Sequence, residues 1–211
     1  RAAARGVTLR TLADAKFNKT YPEVPALLGE LPGAETRIFD AQEIFATGGV
    51  LHAKYFLVDD DRFYIGSQNF DWRALGQIHE LGVLVRHEGV AADVRRIYDM
   101  DWGIAGGEVE ADHPEPPVVP IAELPKHRLT TRHGDTVGAV VAASPAHGLP
   151  RGIPWDLPLL VEMIDAAADS APPASPTTGT IVVDVEPDDI VADYVRSDAP
   201  ARRRRAAMIE Q

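Results

Sequence analysis

Two β-branched and aromatic runs, residues 50–58 (VLHAKYFLV) and 62–67 (RFYIGS), stand on either side of Asp59, Asp60 and Asp61. Runs of this composition separated by so short a polar break read as a β-hairpin, and the rest of the chain has to be built around it. Side chains two apart share one face of a strand, which puts His52 and Lys54 together beside Phe56 and Val58. An imidazole and an ammonium are therefore expected to point the same way. Gly66 and Ser67 end the second run, where small residues let a ligand approach the backbone, and the amide of Asn69 can donate to an oxyanion. One nucleophile or base, one fixed positive charge and neutral donors suit a phosphodiester, whose charge must be held while a P–O bond breaks.

The same stretch has a fixed register: H-x-K, four residues, D, six residues, G-S-x-N, filled by His52, Lys54, Asp59, Gly66, Ser67 and Asn69. Six specified positions in one register are far more specific than a lone glycine loop. The spacing resembles the signature of the phospholipase D superfamily without a departure. The continuation GSQNFDWRALGQIHELGV resembles the first of two motifs in the branch that contains lysosomal 5′-exonucleases and poxvirus envelope phospholipases.

That resemblance implies a set of roles. His52 is the nucleophile that forms a phosphohistidine, Lys54 and Asn69 bind phosphoryl oxygens, and Ser67 supports the same site. Glu80 falls where the family places the carboxylate that orients the histidine, so a hydrogen bond from His52 to Glu80 and a common pocket for His52, Lys54, Asn69 and Glu80 are expected. Asp59 and Gly66 match the motif in structural roles. The chemistry implied uses Lys54 in place of a metal, and neither metal nor cofactor is expected; the three acids Asp59 to Asp61 read as a solvated turn.

In-line displacement needs a proton donor on the far side of phosphorus, and in the family a second motif supplies it. The chain has no second H-x-K: His79, His87, His113, His127, His133 and His147 lack that context. Two sources follow, a homodimer that pairs His52 with its symmetry mate, or a region C-terminal to this chain. The expected activity is that of a phosphodiesterase on a phospholipid or on single-stranded nucleic acid. The alternative is a catalytically incomplete half-domain, inactive until paired with a second motif.

Strands alternating with helices argue an α/β fold, a mixed β-sheet flanked by helices, followed by a partial second α/β half. In order, RAAARG reads as a helix end capped by Gly6, residues 7–13 as a strand, 22–31 as a helix and 35–39 as a short strand. Beyond the hairpin, FDWRALGQ is a loop with one helical turn, and residues 78–86 form a strand. Val90, Val94, Ile97, Tyr98 and Trp102 recur at helical spacing over 88–102. The domain boundaries expected are 1–103 for the motif-bearing domain, 104–135 for an acidic, proline-rich linker with a short strand, and 136–170 for the start of a second half. Within the linker and second half, strands are expected at 126–131 and 136–144 and a helix at 155–169. Residues 171–211 read as a low-complexity and basic tail, with a strand at 180–185, a short helix at 188–195 and the run Arg202–Arg205.

Composition narrows the partners. The formal net charge is −11, with 12 Lys and Arg against 15 Asp and Glu in residues 1–102 and 9 against 17 in the remainder. A generally basic nucleic-acid surface is excluded by that balance, whereas a local positive site around Lys54 is compatible with it. There is no cysteine, so disulfides and thiolate metal sites are excluded and the redox compartment is left open. No apolar run is long enough to span a membrane. The chain opens on Arg1 in what reads as the last turn of a helix, which suggests a truncated N-terminus and leaves the compartment unassigned.

Overall fold

A computed structural model describes residues 1–45, 48–111, 114–131 and 133–169, all within the first of two units into which the chain divides, 1–177 and 178–211. The strand, helix and basic run expected beyond residue 170 lie outside the described residues. A 3-10 turn, Ala3–Arg5, closes on Gly6 at φ 84°, a left-handed conformation that glycine adopts without cost. Strand β1, Leu9–Asp14, runs into helix α1, Ala15–Thr20; helix α2, Glu23–Gly29, then leads to β2, Ala34–Phe39. β1 and β2 pair in parallel from Leu9↔Ala34 to Asp14↔Phe39.

Helix α3, Ala41–Ile44, precedes the motif hairpin, whose strands are β3, Tyr55–Val58, and β4, Arg62–Gly66. Strand β5, Gly82–Arg86, adds to it, giving an antiparallel sheet in the order β3-β4-β5. Helix α4, Glu88–Ala105, follows at once; His87 caps it by accepting from the Val90 amide at 3.3 Å, and Glu88 suits its positive end. A hairpin of β6, His127–Thr130, and β7, Thr136–Ala139, and helix α5, Asp156–Asp169, complete the described part. The architecture is α/β. The expected mixed sheet is divided: β1 and β2 pair in parallel, while β3-β4-β5 and β6-β7 form two separate antiparallel sheets.

Helix α4 joins the two sheets. Its first turns bury Val90, Ala91 and Val94 against Phe63, with Tyr55, Leu57 and Val85 around them. Its last turns bring Ile104 and Met100 onto Phe39, Ala41, Leu12 and Leu51. Arg37 of β2 locks that end: its guanidinium lies 4.4 Å from the Trp102 ring centroid, donates to the Trp102 carbonyl at 2.8 Å and meets Glu35 and Glu108 at 3.0 and 2.9 Å. A cation at a helix C-terminus and over an indole face is favoured on both counts. The face of the three-stranded sheet turned away from α4 stays open, with Phe56, Val58 and Leu84 exposed.

The hairpin turn uses the acids that separate its strands. Asp59 takes a left-handed φ of 52°, tolerated by aspartate, and its carbonyl accepts from Arg95. Asp60 meets Arg95 at 3.4 Å, while Asp61 meets Arg62 at 2.8 Å and Arg86 at 3.7 Å. The expected solvated turn is thus tied to α4 and β5.

His52 and Lys54 do not lie on the strand expected for residues 50–58, because β3 begins at Tyr55. What fixes the preceding segment is Asp14, at 8% exposure the one buried charged residue among those described. One carboxylate oxygen caps α1 through the Phe17 amide at 3.1 Å; the other accepts from the Leu51 amide at 2.7 Å. Replacing Asp14 by alanine removes a helix cap and leaves a buried amide unpaired, and is expected to lower stability by about 2–4 kcal/mol in denaturant unfolding.

Candidate active site

Each motif residue can be placed from its element outward. His52 is exposed and follows Leu51, so the Asp14 to Leu51 hydrogen bond locates it. Lys54 folds back, and its Nζ donates to the His52 carbonyl at 2.6 Å. Burial lowers the Lys54 pKa, and the field of Glu80 opposes the shift without cancelling it. The Gly66 amide donates to the Lys54 carbonyl at 3.0 Å, extending the hairpin pairing one residue past β3.

Ser67 and Glu80 form a clasp at the same end of the sheet. The β4-β5 register ends at Gly66↔Gly82, which sets Ser67 opposite Leu81; the Ser67 amide donates to the Leu81 carbonyl at 2.8 Å. Ser67 Oγ accepts from the Leu81 amide at 3.0 Å and donates to Glu80 Oε2 at 2.5 Å. Glu80 itself lies in the loop before β5, not on the strand expected for 78–86. Its side-chain partner is therefore Ser67, and among the described residues no hydrogen bond joins Glu80 to His52. Asn69 is exposed and makes no hydrogen bond among them.

Tyr64 was not singled out in the sequence, yet it sits at the centre of this face. Side-chain alternation puts it with Lys54, Phe56, Gly66 and Gly82. A Cβ built at either glycine would collide with its hydroxyl, so the two bare positions leave room for the ring to lie across the sheet. Phe56 stacks on it at 5.2 Å between centroids. Burial and then the nearby Glu80 raise the phenol pKa, so Tyr64 stays a neutral donor. The signal available in the sequence was the same period of two that groups Lys54 with Phe56.

A cavity of about 490 Å³ is lined by His52 together with Tyr55, Ile65, Val94, Ile97 and Asp101, and by residues 141–145 and 147–149. Lys54, Ser67, Asn69 and Glu80 are not in its walls, although Lys54 meets the His52 carbonyl and lies within the field of Glu80. Asp101 is a residue that the sequence reading missed. It lies four residues after Ile97 and seven after Val94, so a carboxyl stands on the apolar stripe of α4, and that misplacement was the available signal. Burial raises its pKa to about 7. Among the described residues, no three His, Asp or Glu side chains are grouped to hold a metal ion. No helix among them is long and apolar enough to cross a membrane.

Comparison with known proteins bears on the same residues. The family described as "Cardiolipin synthase, PLD-like domain" matches residues 1–102. The "5'-3' exonuclease PLD3" of Bos taurus is 33% identical over 168 residues, which cover 78% of this chain and 34% of that protein. The "Virion nicking-joining enzyme" of Vaccinia virus (strain Western Reserve) is 38% identical over 99 residues, 46% of this chain and 22% of the viral protein. The chain thus spans about a third or less of the length of these relatives. Among solved structures, "NucT from Helicobacter pylori" superposes with a TM-score of 0.44 at 17% identity, covering 48% of this chain and 65% of that one.

The Asp101 shift has a measurable sign. Its folded pKa lies above the unfolded value, so the carboxyl favours the folded state below the ordinary carboxylate range, and that contribution is lost as pH rises through about 7. Asp101→Asn removes the titration. Thermal melts should give matching Tm values for the two proteins near pH 4 and a higher Tm for D101N once the pH exceeds that of the Asp101 midpoint.

Proposed function

Since the chain belongs through residues 1–102 to the phospholipase D superfamily, we propose that it contributes one catalytic half of a phosphodiesterase acting on single-stranded nucleic acid. The observation that carries the proposal is the uninterrupted register of His52, Lys54, Asp59, Gly66, Ser67 and Asn69, which brackets the β3-β4 hairpin. The names of the two relatives, an exonuclease and a nicking-joining enzyme, favour nucleic acid over lipid.

In this reading an imidazole nitrogen of His52 attacks phosphorus, forming the N–P bond of a phosphohistidine as the P–O bond to the leaving group breaks. Lys54 and Asn69 hold the non-bridging oxygens, where a fixed positive charge and an amide donor offset the charge that builds up in the transition state. Burial lowers the pKa of Lys54, and the field of Glu80 opposes that shift in favour of the charged form. Water then attacks the phosphohistidine and releases the second product. Glu80 is assigned to orienting the His52 ring.

The leaving oxygen needs a proton from the side opposite His52. A second motif supplies that donor, from another copy of the chain or from a region beyond it. The second reading, a half-domain inert by itself, is favoured by the absence of another H-x-K in the sequence. Mass measurement in solution separates the two: a dimer that turns over substrate supports pairing of His52 with its mate, and an inactive monomer supports the half-domain.

The test of the chemistry is hydrolysis of single-stranded DNA followed from its 5′ end, with phosphatidylcholine as the competing substrate. His52→Ala should abolish turnover, a drop of at least about 10³-fold for loss of a nucleophile. Activity that survives this substitution unchanged sinks the assignment.

A further inference from the structure

We infer that the cavity on the α4 side of the hairpin receives a nucleobase, recognised by the Asp101 carboxyl, while the attached phosphate lies against His52. This rests on the reading of His52 as the nucleophile and adds a substrate-recognition residue that the motif does not contain. The cavity, at about 490 Å³, is within the range of about 300–1,000 Å³ usual for small-molecule sites. Its walls include the aromatic residues Phe45 and Tyr55, of a type on which a flat heterocycle stacks.

The polar groups select the occupant. Two carboxyl side chains line the cavity, and Asp156 is already held by the Ser144 hydroxyl. Asp101 has no hydrogen-bond partner among the described residues. His147 is turned to Glu115 at 3.4 Å, and the phenol of Tyr55, pushed up by burial with a contribution from Asp101, stays neutral. A carboxyl in such surroundings is protonated up to about pH 7. It then presents an O–H donor beside a carbonyl acceptor. A nucleobase edge, with ring nitrogen and exocyclic group side by side, satisfies both. A fatty acyl chain would leave both buried and unpaired, which disfavours a lipid in this cavity.

The inference is tested by isothermal titration calorimetry on the whole chain, at a pH about one unit below the Asp101 midpoint, with deoxyadenosine 5′-monophosphate, inorganic phosphate and hexyl phosphate as probes. The nucleotide is expected to bind at least about tenfold more tightly than either of the others. D101N, which keeps a neutral donor and acceptor, should retain that preference. Asp101→Leu should erase it, and Ile97→Trp, which adds bulk to the same wall, should erase it independently should D101L fail to fold. Binding of the nucleotide no tighter than phosphate overturns the inference, as does hexyl phosphate matching the nucleotide, which would assign the cavity to an alkyl chain. A preference that survives both D101L and I97W also overturns it. Binding is read without turnover, so loss of the His52 mechanism in the hydrolysis assay and loss of the base site in calorimetry are separate results.

Discussion

The position of His52 depends on a carboxylate more than thirty residues before it in the chain. Asp14 ends β1, caps α1 and accepts the amide of Leu51, and it is buried while doing so. The segment it holds has little else to locate it. Gly48 and Gly49 adopt φ values of 66° and 134°, and regular pairing with β4 begins only at Tyr55, helped by the one bond between Gly66 and Lys54. A charged acceptor serving two amides is worth more than a neutral bond and is costly to remove from a buried place. The nucleophile candidate therefore takes its position from the parallel β1-β2 pair, not from the hairpin whose motif names it.

The hairpin in turn has two chemically different sides. Lys54, Tyr64 and, through Ser67, Glu80 gather around one end of the open face, where Glu80 offsets part of the burial that lowers Lys54. The opposite side is apolar and packs on α4, with His52 and Asp101 at the cavity between them. The net charge of −11 does not set the field at Lys54, because the relevant charge there is local. At about a Debye length of 8–10 Å, the surplus acids elsewhere are largely screened from Lys54.

Much of the local structure was legible in the sequence. The Asp59 to Asp61 break marked the turn of a hairpin, Gly6 marked a left-handed cap, and the 3.6 period from Val90 to Trp102 marked α4. These features depend on residues a few positions apart, where backbone preference and side-chain period act directly. Element ends were less legible, and His52, Lys54 and Glu80 all fell outside the strands expected to carry them. The partner that the structure gives Glu80 depends on the same pairing: the register that closes β4 on β5 brings Ser67 Oγ to it.

The sequence alone determined the identity and spacing of the motif residues, from His52 to Asn69, and the α/β alternation that carries them. Tertiary structure decided where those groups stand. It set Asp14 against Leu51, Arg37 against Trp102, and Asp101 inside an apolar cavity instead of in water. Each of these joins elements that lie far apart along the chain or in different sheets. Their strength comes from burial, which no local pattern of residues encodes and which exists only once α4 has closed over both sheets.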